Sequence, residues 1–131
     1  MGAFAAAPVF CNGKKLLSQT ELGDAVKGKY TCGTYNGERW NELHAGGLTG
    51  TITDYKLGPT NPTDPSKQVG TYAITADGDG GVLTDSYTGG GSFAYYVSAA
   101  NNGAGNTTFY YCGVGGGAPA LLTITIQASH C

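Results

Sequence analysis

The residues best suited to chemistry lie between positions 36 and 59, in NGERWNELHAGGLTGTITDYKLGP. This stretch holds the one tryptophan of the chain, one of its two histidines and several carboxylates. If 38–45 is a strand, side chains alternate with a period of two, so Trp40, Glu42 and His44 share one face. A few polar groups beside Trp and Tyr are typical of small-ligand sites, in which the aromatic rings stack on the ligand and the polar groups orient it. The candidate ligand-binding residues are Trp40, Glu42, His44, Asp54 and Tyr72.

Catalysis is the alternative use of these carboxylates. Glu38 and Glu42 suggest a glycosidase pair, but four residues along a strand separate them by roughly 13 Å, beyond either standard spacing. Asp54 on the next strand could pair with Glu42, yet a small barrel leaves little room for an extended substrate cleft. The chain also has no G-x-S-x-G, P-loop or dinucleotide fingerprint. The sequence therefore predicts a protein that is not an enzyme, with a hydrolase as the weaker alternative.

A metal site is a further alternative. Glu42, His44 and His130 are chemically reasonable zinc ligands, but the chain has no H-x-H or H-E-x-x-H spacing. The favoured interpretation of His44 is a histidine at a strand end, hydrogen-bonded to a carboxylate. No metal and no cofactor are predicted.

Composition indicates one β-rich domain. The 131 residues include 23 glycines, and only 12% are charged, about half the usual share. A net charge of -2 without a basic run argues against nucleic-acid binding. No apolar run approaches the length of a membrane span. We expect a flexible N-terminal tail over 1–16, whose A-x-A pattern resembles the end of a signal peptide, and a single β domain over 17–131.

A short helix is predicted near the start of this domain. Ser18–Glu21 matches a capping box, in which the Ser hydroxyl and the Glu carboxylate satisfy backbone amides at a helix start. Leu22, Ala25 and Val26 form a narrow apolar stripe, and Gly28 can end the helix.

From Lys29 onward the pattern changes to strands separated by turn residues. The runs are about 29–35, 38–45, 49–57, 69–75, 82–88, 92–98, 107–113 and 120–128. Short, evenly spaced strands favour a meander, and eight of them can close on themselves. The predicted fold is an all-β, eight-stranded antiparallel up-and-down barrel, with a β-sandwich as the alternative. The expected inward set is Trp40, Tyr72, Ile74, Leu83, Phe93, Tyr95, Val97, Leu122, Ile124 and Ile126.

Cys11, Cys32, Cys112 and Cys131 are far apart and contain no C-x-x-C. An even count in a small Gly-rich chain predicts two disulfides and an oxidising compartment, with free thiols as the alternative. In an up-and-down barrel the end of the last strand lies near the start of the first. We therefore expect Cys11 to pair with Cys131 and Cys32 with Cys112, in preference to 11 with 32 and 112 with 131.

Three motifs, W-x-E-x-H at 40–44, D-Y-K-x-G-P at 54–59 and D-P-x-x-Q-V-G at 64–70, resemble small exported bacterial proteins of uncharacterised function. The resemblance implies export and a common fold, and nothing about chemistry. A looser likeness is to avidin-like and lipocalin-like barrels, including bacterial barrel inhibitors of secreted proteases. Those often carry Gly-x-Trp in a strand, whereas positions 70–72 read Gly-Thr-Tyr. This likeness implies architecture only.

The expected function is that of a secreted or periplasmic, non-catalytic binding protein for a small ligand or a protein partner. One alternative is a structural subunit of an extracellular fibre or surface assembly, a homo-oligomer in which the apolar tail 3–10 adds to the sheet edge of a neighbour. A further alternative is a secreted protease inhibitor whose tail plugs the active site.

Overall fold

A computed structural model describes residues 8–35, 37–54, 67–101, 105–115 and 117–131, with the backbone alone for Glu38 and Lys67. The elements are β1 (Phe10–Cys11), β2 (Lys14–Lys15), α1 (Gln19–Val26), β3 (Lys29–Tyr35), β4 (Glu38–Gly46), β5 (Thr49–Asp54), β6 (Lys67–Asp77), β7 (Gly80–Tyr87), β8 (Ser92–Ala99), β9 (Thr108–Gly113) and β10 (Leu121–Gln127).

Strands β3 to β10 form a closed antiparallel barrel in which each strand pairs with its neighbours in the chain. The barrel closes where β10 pairs with β3, with Thr125 opposite Cys32 and Gln127 opposite Tyr30. This confirms the predicted up-and-down barrel over the sandwich. All eight predicted strands are present, and the predicted continuation of β5 over 55–57 lies outside the described residues.

The interior follows the predicted alternation. Eight of the ten expected inward residues are buried, and Trp40 and Phe93 are partly buried against them. Aliphatic side chains such as Ile52, Leu83 and Ile124 are fully enclosed, and each contributes roughly 1.5–3 kcal/mol through removal from water. The chain therefore fills one part of its barrel with an ordinary hydrophobic core.

Helix α1 covers one end of the barrel, here called the helix end. It begins as predicted, because the Glu21 amide donates to Ser18 Oγ at 3.1 Å and the Ser18 amide donates to Glu21 Oε1 at 2.9 Å. Leu22 and Val26 are fully buried, and Gly28 follows the helix with a φ of 68°. The helix contacts β3, β6 and β7. Within the described part of the chain, no helix has the length and apolarity needed to cross a membrane.

Residues 8–16 differ from the expected flexible tail. Phe10–Cys11 pairs with Lys14–Lys15 as a hairpin, and Leu16 bridges to Ser98 on β8. The Ser98 hydroxyl donates to the Cys11 carbonyl at 2.8 Å. From Phe10 onward this segment is therefore an ordered part of the domain, fixed to the outer wall; positions 1–7 lie outside the described residues.

All four cysteines form disulfides, as predicted, but the expected pairing is wrong. Cys11 bonds Cys112 and Cys32 bonds Cys131, with Cα–Cα distances of 5.9 and 5.8 Å. Cys32 and Cys112 lie on β3 and β9, which are separated by β10. Two strand spacings amount to roughly 9–10 Å, too far for a disulfide. Cys32 and Cys112, on the barrel wall, instead each bond a cysteine in a terminal segment that crosses the outside of the barrel.

Candidate functional site

A cavity of about 380 Å³ occupies the barrel interior towards the end opposite the helix, here called the open end. Residues from six strands and one loop form the wall of this cavity. The lining residues are Thr31, Tyr35, Trp40, Glu42, Asp85, Tyr87, Phe93, Tyr95, Tyr111, Gly117, Pro119 and Leu122. Most of them are aromatic or apolar, and the polar ones converge on one region.

Trp40 forms part of the wall because Gly33, opposite it on β3, has no side chain. The two residues are paired in register. A Cβ at Gly33 would overlap the Trp40 ring and approach Ile124. The glycine thus makes room for the indole inside the barrel, where Trp40 remains partly exposed.

Glu42 and Asp85 form the floor of the cavity. The Glu42 side chain accepts a hydrogen bond from the Tyr87 hydroxyl at 2.9 Å. His44 lies beneath, fully buried, with Nε2 3.1 Å from Asp85 Oδ1. Both acids are almost completely buried, with 8% and 5% of their surfaces exposed. A cluster of this kind is unusual in a barrel core, since buried charges are costly unless they are paired.

Burial raises the pKa of the Glu42 carboxyl from 4.5 to about 7, and the negative charge of Asp85 adds to this effect. The charge of His44 and the Tyr87 hydroxyl oppose it, and the charge of Asp54 from β5 adds slightly. Near neutral pH the Glu42 carboxyl is therefore about half protonated.

Burial alone would lower the pKa of His44. The hydrogen bond to Asp85, with the charges of Asp85 and Glu42, more than offsets burial, and the pKa is raised above 6.5. The raised pKa favours the protonated imidazole, which forms an ion pair with Asp85.

Tyr87, Tyr95 and Tyr111 also line the cavity. Burial, with the charge of Asp85, raises the pKa of Tyr95 to about 12 and also raises those of Tyr87 and Tyr111, so all three stay neutral. The Tyr111 hydroxyl is buried and has no hydrogen-bond partner among the described residues. An unpaired buried hydroxyl is costly, and the Tyr111 residue that carries it is one of those that line the cavity.

The five predicted site residues fall into three groups. Trp40 and Glu42 line the cavity. His44 and Tyr72 lie below it, with ring centroids 4.9 Å apart, and the Tyr72 hydroxyl donates to the Gly47 carbonyl at the helix end. Asp54 pairs with Glu42 across the sheet but is not a lining residue.

The sequence reasoning missed Asp85, the partner of His44. The signal was present in the alternation of β7, where Leu83, Asp85 and Tyr87 follow one another at a spacing of two. Since Leu83 was expected to point inward, Asp85 had to point inward as well. An acidic residue at a predicted core position was therefore the signal for this part of the site.

The donor atoms of Glu42, His44 and Asp85 lie within 4.8 Å of one another. This trio has the composition of a divalent-cation site, but His44 Nε2 would first have to give up its hydrogen bond to Asp85. The interpretation of His44 as a histidine paired with a carboxylate is confirmed. His130, the other suggested ligand, lies elsewhere, with its ring centroid 4.6 Å from that of Tyr30.

Comparison of the chain with models of protein families, with curated proteins and with solved structures finds no match. The site geometry is therefore the basis for the functional argument.

Proposed function

We propose that this protein binds a small, partly apolar molecule inside its barrel, without catalysis. The observation that carries the proposal is the cavity of about 380 Å³, in which aromatic walls stand above a floor of converging polar groups. This volume lies in the range typical of small-molecule sites, about 300–1,000 Å³.

The state of the floor supports the same proposal. A barrel core needs no buried carboxylates, and replacing such groups by apolar side chains is often neutral or stabilising. Here Glu42 and Asp85 line one cavity, together with Tyr111, whose hydroxyl is buried without a partner among the described residues. Groups that are costly for folding and face an open space are best explained by a molecule that they contact.

The test is a small-molecule screen read by thermal unfolding and by the fluorescence of Trp40, which is the one tryptophan and lines the cavity. A ligand should raise the unfolding temperature and change Trp40 emission. Thr31→Met adds volume beside Glu42 on the cavity floor and should weaken binding at least about tenfold, since overfilled sites lose complementarity.

Thr34→Met is the matched control, because Thr34 lies on the same strand but is exposed and is not a lining residue. If Thr31→Met does not fold, Phe93→Ala replaces it because Phe93 lines the cavity, with Val114→Ala, at an exposed position outside the lining, as its control. If ligands bind an inward variant as tightly as its control variant, the binding site is not in this cavity. A broad screen without any hit would count against the proposal as a whole.

We infer that the protein works in an oxidising compartment, secreted or periplasmic. The support is that all four cysteines are held in disulfides, which persist outside the reducing cytosol. Trapping of free thiols in protein isolated from cells tests this inference, because labelling of all four cysteines would contradict it.

Assembly into a fibre remains the second candidate. It is favoured by Val9 and Phe10, which are 58% and 62% exposed beside the apolar N-terminal residues. The closed barrel offers no open edge among its described strands, so a neighbour would have to use the β1–β2 hairpin. Electron microscopy and size-exclusion chromatography of full-length and tail-deleted protein test it, and a monomer in both would exclude it. Protease inhibition stays a prediction, to be tested by incubation with secreted proteases.

A further inference from the structure

Among the described residues, the charged groups that line the cavity are all acidic. They are Glu42 and Asp85, and the described lining includes no Lys or Arg. Among the described residues, His44 lies beneath the floor and is hydrogen-bonded to Asp85. An anionic ligand would face two acids at short range, whereas a cation would find two partners.

The spacing of the two acids suits one ammonium group. Their nearest candidate donor oxygens lie within 4.8 Å of each other. An ammonium nitrogen donates to a carboxylate oxygen at about 2.7–2.9 Å, so one nitrogen can reach two oxygens up to roughly 5.5 Å apart. A single primary ammonium can therefore contact both Glu42 and Asp85.

The aromatic wall indicates which apolar group the ligand carries beside its cationic group. Tyr35, Trp40 and Phe93 line the cavity from three different strands, and Tyr35 is at its open end. An indole or phenol ring attracts a nearby cation and offers a flat apolar face to another ring. A volume of about 380 Å³ holds about a dozen water-sized groups, taking about 30 Å³ for each. One ring with a short side chain fits this space.

Building on the proposed function, we propose that the ligand is a protonated arylalkylamine, with its ammonium group between Glu42 and Asp85 and its ring against Trp40. The half-protonated state of Glu42 agrees with this geometry. The arriving ammonium takes the place of the proton on Glu42, which is released to solvent as the carboxylate becomes charged. Glu42 is then paired with the ammonium in the complex and partly neutralised by its own proton in the free protein.

The experiment uses three probes that share one body and differ in charge: phenylethylamine, 2-phenylethanol and 3-phenylpropionate. Isothermal titration calorimetry and Trp40 fluorescence at neutral pH report their binding. Phenylethylamine should bind, 2-phenylethanol should bind at least about tenfold more weakly, and 3-phenylpropionate should be the weakest, because a charged hydrogen bond is lost and then replaced by repulsion. Titration in buffers of different ionisation enthalpy should detect proton release with the amine.

Glu42→Gln keeps the shape of the side chain and removes its charge. It should reduce phenylethylamine affinity by about 10-fold to 100-fold and change 2-phenylethanol affinity much less, because the alcohol carries no charge. Asp79→Asn is the matched control, since Asp79 is an exposed acid in the turn between β6 and β7. It should change neither.

Each contrary result has a definite meaning. If 2-phenylethanol or 3-phenylpropionate binds as well as phenylethylamine, the amine inference is overturned while the cavity remains a small-molecule site. If phenylethylamine does not bind at millimolar concentration, the amine inference is also overturned. The proposed function is then tested separately, by the small-molecule screen with Thr31→Met. If Zn²⁺ binds in a manner abolished by Glu42→Gln and the amine does not bind, the floor is a metal site and not an amine site.

Discussion

Replacing Glu42 by glutamine should make the protein more stable at neutral pH. Burial raises the pKa of Glu42 from 4.5 to about 7. Between these two values the unfolded chain has lost the proton that the folded chain retains, so stability falls as the pH rises. At about 1.4 kcal/mol per pKa unit, the carboxyl costs the folded state about 3 kcal/mol once the pH exceeds its folded pKa.

Glutamine resembles the protonated acid and can still accept the hydrogen bond from Tyr87. We therefore expect Glu42→Gln and the wild type to have similar free energies of unfolding near pH 4.5. Above about pH 7 the variant should be more stable by about 3 kcal/mol. Urea unfolding at several pH values, with the disulfides intact and Trp40 emission as the signal, measures both curves.

His44 contributes a pH dependence of its own. Because its folded pKa is raised above 6.5, its contribution is fully present below pH 6.5 and is lost as the pH rises through the folded pKa. This loss is largely common to both proteins, so the difference between their curves isolates Glu42. Curves that run parallel from acid to alkaline pH would refute the reasoning, and Asp79→Asn, at an exposed acid, is the control variant.

Three further outcomes are expected. His44→Phe leaves Asp85 buried without its partner and should lower the free energy of unfolding by about 3–5 kcal/mol, measured by urea unfolding at neutral pH. Gly33→Ala forces the Trp40 ring from its position and should cost about 1–3 kcal/mol, with a shift in Trp40 emission. Cys131→Ser opens a disulfide that joins residues 99 apart in sequence, and it should cost about 4–5 kcal/mol in urea unfolding, as expected for a loop of that length.

Matched measurements distinguish these effects from general disturbance. Gly47→Ala introduces a methyl group into open space and should leave both stability and Trp40 emission unchanged. If Gly33→Ala also leaves stability and Trp40 emission unchanged, Gly33 and the Trp40 ring are not in close contact. A Cys131→Ser variant as stable as the wild type would show that this disulfide adds nothing to the fold. Stability of His44→Phe equal to that of the wild type would contradict the ion pair with Asp85.

Local patterns predicted most of the fold. The capping box at Ser18–Glu21 places the helix start, and the period of two in each strand predicts which side chains face inward. The same alternation places Trp40, Glu42 and His44 inside the barrel. These features depend on residues close in sequence, which is why they can be predicted without knowledge of the distant contacts.

The floor of the site could not be predicted in the same way. His44 and Asp85 are 41 residues apart in sequence and lie on β4 and β7, strands that do not pair with each other. They meet because the closed barrel turns the inner faces of both strands towards one space. Tyr72, expected beside the ligand, instead extends towards the helix end, since its hydroxyl reaches the Gly47 carbonyl.

The disulfides also separate what the sequence predicts from what only the tertiary structure decides. Composition alone predicted that Cys11, Cys32, Cys112 and Cys131 are bonded, and the structure confirms it. The partners were decided by the position of β10 between β3 and β9 and by the paths of the terminal segments over the outer wall. The sequence by itself determined the strands, their inner faces and the residue types available for a site. The depth of the cavity, the burial that raises the pKa of Glu42 and the ion pair beneath it came from closure of the barrel, because these properties arise only between residues that the chain keeps far apart.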